Sequence, residues 1–295
     1  MQTTRLNLED VLPLTCSRAG TCCHGNIVLL NPWELFCLAR EKKITTREFR
    51  DLYTDFGGTK MRFNGKPNRK GKQACSQYTD GLGCSVHMGR PLACRLFPIG
   101  RQIHNGEVQY MHEGIGFPCL DGCPEVSELP SLSVGEYLQG QETERYEMAQ
   151  DLYLELMQDL ADIAFELFLD TGLADSGETK TLFLWEKLGV ELPEELVKRI
   201  GNEWVDRLMI PEMSIDLMDP MLFVQQHAAL LQSKAQGTFG ALRTNEEFHE
   251  ASVLMMGVAL LLAQGIGANR KGLAEHWVET AKEILKKSGS WNRIL

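Results

Sequence analysis

All nine cysteines of this 295-residue chain fall between Cys16 and Cys123, and none follows. They are Cys16, Cys22, Cys23, Cys37, Cys75, Cys84, Cys94, Cys119 and Cys123. No other feature constrains the chain so strongly, because thiols gathered in one part of a protein have common work to do there. The opening stretch MQTTRLNLED lacks the apolar core of a signal peptide, so a cytoplasmic protein is expected. Thiols stay reduced in that compartment, and clustered ones serve metal or redox chemistry more often than structural disulfides.

Around the cysteines the pattern is one of turns and short elements. Asn31-Pro32 opens a helix running to Arg40, with Asn as cap and Pro in the first helical position. Thr45 and Glu48 form a capping box ahead of Phe49, Leu52, Tyr53 and Phe56, and Gly57-Gly58 ends that helix. Asn64-Gly65 and Asn105-Gly106 are hairpin signals, the second between strands at 97–103 and 108–111. From about residue 133 the spacing turns helical. Ser133 and Glu136 make another capping box, and helices are expected over 141–170, 193–209, 219–235, 244–265 and 273–287. The apolar run Ala251 to Ala263, broken by Ser252 and Gly257, is too short to span a bilayer and reads as buried helix. The expected fold is α+β and mostly helical. An irregular, metal-held module with short β-hairpins occupies 1–130, and an all-α part occupies 131–295.

Thiolate is a soft ligand suited to zinc, copper(I) and iron–sulfur clusters. Four thiolates on a divalent ion leave a net charge of −2, which nearby cations and backbone N–H groups must offset. Arg18, Arg90, Arg95 and Arg101 flank the cysteines, and Gly20, Gly25, Gly81 and Gly83 let backbone amides come close to sulfur. In an extended chain Cys22 and Cys23 leave opposite faces. The adjacent pair is therefore expected to reach two sides of a metal centre rather than one small tetrahedral ion.

The segment Cys16-Ser-Arg-Ala-Gly-Thr-Cys-Cys23, the spaced Cys75 and Cys84, and the run Arg90-Pro-Leu-Ala-Cys94-Arg95-Leu-Phe97-Pro98 together carry a resemblance. They resemble the zinc- or iron-chelating family of CxxCxxCC type, of which the flagellin lysine N-methylases look like a branch. The correspondence covers roughly residues 14–125. It departs at Ala19, where the family commonly has its second cysteine, which leaves six matched cysteines: Cys16, Cys22, Cys23, Cys75, Cys84 and Cys94. Cys119 and Cys123 bring the candidate metal ligands to eight. Because no paired CxxC knuckle occurs, an iron–sulfur cluster is preferred over zinc. The resemblance also implies a second reading, a protein-lysine N-methyltransferase using S-adenosylmethionine, though no separate S-adenosylmethionine fingerprint is present. A third reading is a redox or metal-delivery factor.

Other features are read more plainly. Cys37, beside Phe36 and Leu38 on a helix, belongs in the core. His24 and His87 could each complete a mixed site, but such histidines more often sit outside the ligand set. Glu246 and His249 share a helix face but lack the further copies that a di-iron bundle needs, so a solvated helix start is expected. Lysine and arginine number 30 against 40 acids, and this balance of −10 argues against nucleic acid or a membrane surface as general partners. The basic island from Lys60 to Lys72 is read as a solvated hairpin or counter-charge for the thiolates, with a protein substrate or partner as the alternative.

Overall fold

The computed structural model describes residues 3–14, 16, 20–104, 106–113, 130–169, 179–213 and 218–288. Cys119, Cys123, Arg18, Ala19 and Asn105, named above, lie outside these residues. The chain divides into two compact units. The first is Met1–Val28, Glu34–Asp55 and Lys60–Met148; the second is Leu29–Trp33, Phe56–Thr59 and Ala149–Leu295.

The elements of the cysteine-bearing part run, in chain order, β1 (Thr3–Leu6), β2 (Val11–Pro13), a 3-10 turn (Thr21–Cys23), α1 (Pro32–Lys42), α2 (Thr46–Tyr53), β3 (Thr54–Asp55), β4 (Lys60–Met61), β5 (Tyr78–Thr79), β6 (Gly83–Cys84), α3 (Leu92–Leu96), β7 (Ile99–His104), β8 (Glu107–Glu113), β9 (Ser131–Ser133) and α4 (Val134–Gly140). Strands β1, β8 and β7 make an antiparallel sheet in that order, with Ile99 opposite His112 and Leu6 opposite Tyr110. The hairpin expected around Asn105-Gly106 is thus present as β7–β8. Both capping boxes in this part also form: Thr45 with Glu48, and Ser133 with Glu136.

The hairpin expected at Asn64-Gly65 does not form. Strand β4 pairs with β3 instead. The reason lies in Arg62, whose guanidinium donates to Asp55 Oδ1 and Leu52 O at 2.8 Å each and also to Thr54 O, drawing the chain back to the end of α2. Beyond it, Gly65 N donates to Ala74 O at 2.9 Å and closes a loop. Inside that loop Asn68 Oδ1 accepts from Lys70 N and Lys72 N. Lys66, Arg69, Lys70 and Lys72 are exposed on it, so the basic island is a solvated loop. Helix α2 stops at Tyr53, and the chain turns through Phe56 (φ 55°) before Gly57.

The second unit is helical: most of α5 (Glu144–Leu169), then α6 (Thr179–Val190), α7 (Pro193–Ile200), α8 (Asn202–Met209), α9 (Pro220–Phe239), α10 (Asn245–Gly265) and α11 (Arg270–Ser288). The single helix expected over 193–209 is two, because Gly201 sits at φ 81°, ψ 155°, outside helical space. Helix α6 had no counterpart among the expected elements. Helix α10 is long and apolar enough to cross a membrane by length and composition, yet Val258 through Ala263 along it are wholly buried. It forms the centre of this unit. Two buried histidines are satisfied within the same unit. His227 Nδ1 accepts from the Tyr153 hydroxyl at 3.0 Å while its Nε2–H donates to Arg207 O. His249 Nδ1 lies 2.7 Å from Thr181 Oγ1. The helix start is solvated as expected at Asn245, Glu246 and Glu247, with Glu246 near Lys180, but His249 is a core residue and not part of it.

Candidate metal centre

The adjacent cysteines do not lie on extended chain. Gly20, at φ 77°, starts a 3-10 turn that Cys23 N closes on Gly20 O at 2.9 Å. A Cβ at position 20 would stand 2.1 Å from Tyr78 Cε2, so only glycine allows both this backbone and this approach. On a tight turn, neighbouring side chains do not leave opposite faces as they do on a strand. Cys22 and Cys23 hydrogen-bond to each other and line the same cavity. The extended conformation expected of the pair is thus replaced by a tight turn, from which both thiols face one cavity.

The other thiols arrive from separate elements. Cys75 N donates to Cys23 O at 2.7 Å, and the adjoining bridge between His24 and Ala74 aligns the two segments. Cys84 ends β6, opposite Tyr78 on β5. Cys94 lies on α3, where its N–H bonds Pro91 O. That helix is positioned by a residue with no signal in the sequence: buried Glu34 on α1 accepts from Leu92 N at 2.7 Å. A carboxylate on a helix 58 positions away cannot be paired with an amide by spacing alone.

Cys16, Cys22, Cys23, Cys75, Cys84 and Cys94 all line one cavity of about 230 Å³. Its remaining wall is largely apolar, including Ile27, Leu38, Met61, Phe63, Val86 and Phe97. A water occupies about 30 Å³ of liquid, so the space exceeds that of a single small ion. Among the described residues, no three His, Cys, Asp or Glu side chains are drawn tightly enough to hold one ion as they stand. None of the seven described cysteines is in a disulfide; Cys16 is exposed and Cys37 is buried away from the cavity, as expected of a core residue.

The electrostatics are those of thiols packed together. Desolvation raises the Cys75 thiol to about 11 and holds Cys94 well above the usual range, and neighbouring thiols add to both. Cys22 is pulled down to about 7, first by the hydrogen bond from Cys23 and also by Arg90, while the same bond raises Cys23. A thiol drawn down by its neighbour and by a guanidinium gives up its proton to an arriving cation more readily than the other thiols of the cavity.

The arginines divide their roles. Arg90 lines the cavity and is the counter-charge there. Arg95 is 2% exposed and points away, binding Arg90 O, Gln141 O, Met88 O and the Tyr146 hydroxyl, with its guanidinium 3.9 Å from the Tyr146 ring centre. It latches the loop before α3 rather than offsetting thiolate charge. Arg101 pairs with Glu147 at 3.9 Å. The run Arg90-Pro-Leu-Ala-Cys94-Arg95-Leu-Phe97 is thus one device. It supplies a cavity cation, a helix start, a thiol, a latch and an apolar wall.

A small unit that rings a cavity with six thiols and one guanidinium has the donor set of a metal-chelating protein. Residues 15–113 match the family model CxxCxxCC, described as "Putative zinc- or iron-chelating domain". About a third of the chain is thus similar to a cysteine-cluster domain of zinc- or iron-chelating type. No curated protein and no solved structure matches the chain.

Proposed function

We propose that the chain is a cytoplasmic metalloprotein whose cavity thiols Cys16, Cys22, Cys23, Cys75, Cys84 and Cys94 hold an iron–sulfur cluster, with Cys119 and Cys123 as further candidate ligands. The observation that carries this reading is the meeting of six cysteines from four chain segments around one cavity. The donor set fits the group. Six soft ligands exceed the four a cluster needs, the space suits more than one metal atom, and Arg90 offsets the charge of thiolates in an apolar wall. When bound, such a centre would supply electron transfer or a Lewis-acidic metal. The protein's own part is to bring the thiols together, exclude water with Phe63, Phe97 and Val86, and release thiol protons as metal enters.

The test is anaerobic purification followed by an optical spectrum and assay of iron, sulfide and zinc. Brown protein with iron and acid-labile sulfide in similar amounts is expected. Colourless protein with stoichiometric zinc would replace the cluster with a zinc site and leave the chelating role intact. The methyl-transfer reading rests on the family resemblance, and calorimetry with S-adenosylmethionine decides it.

A further inference from the structure

We propose that His87 is a positioning residue of the thiol cavity and not one of its metal ligands. With its ring tautomer set by Arg90, it holds Nε2–H against Cys16 Sγ and keeps that thiol in the cavity wall. The inference rests on the metal-centre reading above but concerns only the protein's own atoms.

Distance alone does not separate a ligand from a positioning group here. His87 Nε2 lies 3.6 Å from Cys16 Sγ. From ordinary zinc–sulfur and zinc–nitrogen bond lengths, two ligands on one tetrahedral zinc would stand about 3.6 Å apart as well. Arg90 decides. Its Nη1 lies 3.1 Å from His87 Nδ1 and also donates to His87 O at 2.6 Å. A guanidinium has donors and no acceptor. Nδ1 must therefore offer its lone pair to Arg90, and in neutral imidazole the proton then sits on Nε2. Ligation through Nε2 would need the opposite tautomer, which would set Nδ1–H against the Arg90 N–H. Arg90 is itself fixed, because its Nη2 donates to Gln141 Oε1 at 2.5 Å.

His24 makes the contrast. Its Nδ1 donates to Gly20 O at 3.0 Å, which leaves Nε2 as the acceptor, the usual arrangement of a ligating histidine. Yet His24 is not among the residues lining the cavity. The histidine with the ligand's tautomer lies off the cavity, and the histidine on the cavity has the donor's tautomer.

Cys16 needs such a partner. It is the exposed thiol of the six and belongs to no helix or strand. Backbone bonds seat Cys23, Cys75 and Cys94, and β6 carries Cys84. An N–H···S bond from a fixed imidazole holds the Cys16 sulfur in place, and no proton leaves Nε2 when that sulfur becomes a thiolate.

Two measurements test this. In metal-free protein with ¹⁵N-labelled histidine, long-range ¹H–¹⁵N spectra at neutral pH should show His87 as the Nε2–H tautomer; the Nδ1–H tautomer would overturn the proposal. In protein reconstituted with iron and sulfide or with zinc, His87→Leu should keep the wild-type metal content per chain. In metal-free His87→Leu, Cys16, mapped by mass spectrometry, should react with iodoacetamide about 2- to 3-fold more slowly at neutral pH, because the reactive thiolate has lost its N–H donor. His87→Gln, which retains an N–H donor, should stay near wild type. Metal loss in His87→Leu equal to that in Cys94→Ser, or an unchanged Cys16 rate, would overturn it. If wild-type protein took up no metal, the metal-centre reading would fall and the tautomer spectrum would still decide the role of His87.

Discussion

The Cys75 amide donates to the Cys23 carbonyl across 2.7 Å. Together with Gly25 N donating to Gln73 O at 3.0 Å and the His24–Ala74 bridge, it joins the two halves of a thiol cluster separated by α1, α2 and the basic loop. It sets Cys75 beside the turn that carries Cys22 and Cys23.

Replacing a cavity thiol should therefore separate from replacing a core thiol. Cys23→Ser is expected to cut metal content sharply and, with it, the thermal midpoint of metal-loaded protein. Cys37→Ser should keep its metal, although a buried hydroxyl there costs about 1–3 kcal/mol of stability. Metal analysis and thermal unfolding on the same samples check both. Equal metal loss in the two variants would remove the distinction between cavity and core.

Gly20→Ala should be damaging out of proportion to its size. A left-handed backbone costs an alanine about 1–2 kcal/mol by itself, and the new Cβ also meets the Tyr78 ring at 2.1 Å. In a Tyr78→Ala background only the backbone cost should remain. A double-mutant cycle in urea measures this, and full additivity would mean the ring contact is irrelevant.

Arg95 should matter more for folding than for charge. Truncation to alanine leaves the Arg90, Met88 and Gln141 carbonyls without this partner, and a loss of about 3 kcal/mol or more is expected. Lysine should rescue little, since one ammonium cannot reproduce a planar fork that reaches several acceptors. Denaturant unfolding of the two variants is the check.

Acid sensitivity should come in part from His227. Burial pulls its pKa down from 6.5 to about 4. The unfolded chain therefore binds a proton, between pH 6.5 and about 4, that the folded chain refuses. Stability from this group is complete above pH 6.5 and falls as pH drops through that window, by about 3 kcal/mol in total. His227→Gln should be less stable at pH 7 but flatter across the window. Unfolding free energies measured from pH 7 to pH 4 decide it; parallel curves for the two proteins would show that His227 does not carry the effect.

Much of this was legible in the chain itself. The capping boxes at Thr45, Ser133 and Thr244 encode their helix starts within four residues, because an N-cap hydroxyl and an N3 carboxylate satisfy each other locally. The thiol cluster was legible because thiols concentrated in one part of a chain, in a family pattern, have few other uses. Local rules misled where a distant partner intervened. Asn64-Gly65 reads as a hairpin until Arg62 reaches back to Asp55 and Thr54. The helix over 193–209 looks continuous until Gly201 leaves helical space.

What the sequence by itself determined is the inventory: which residues carry metal donors, where the helices with local capping signals begin, and that Cys37 belongs to the core. Tertiary structure alone decided geometry and role. It set the adjacent cysteines side by side on a 3-10 turn, turned Arg95 into a latch, and gave His24 and His87 opposite tautomers. The reason is physical. A residue's type fixes its donors and acceptors, but which partner each one faces depends on segments far along the chain, and a proton's position follows from that partner.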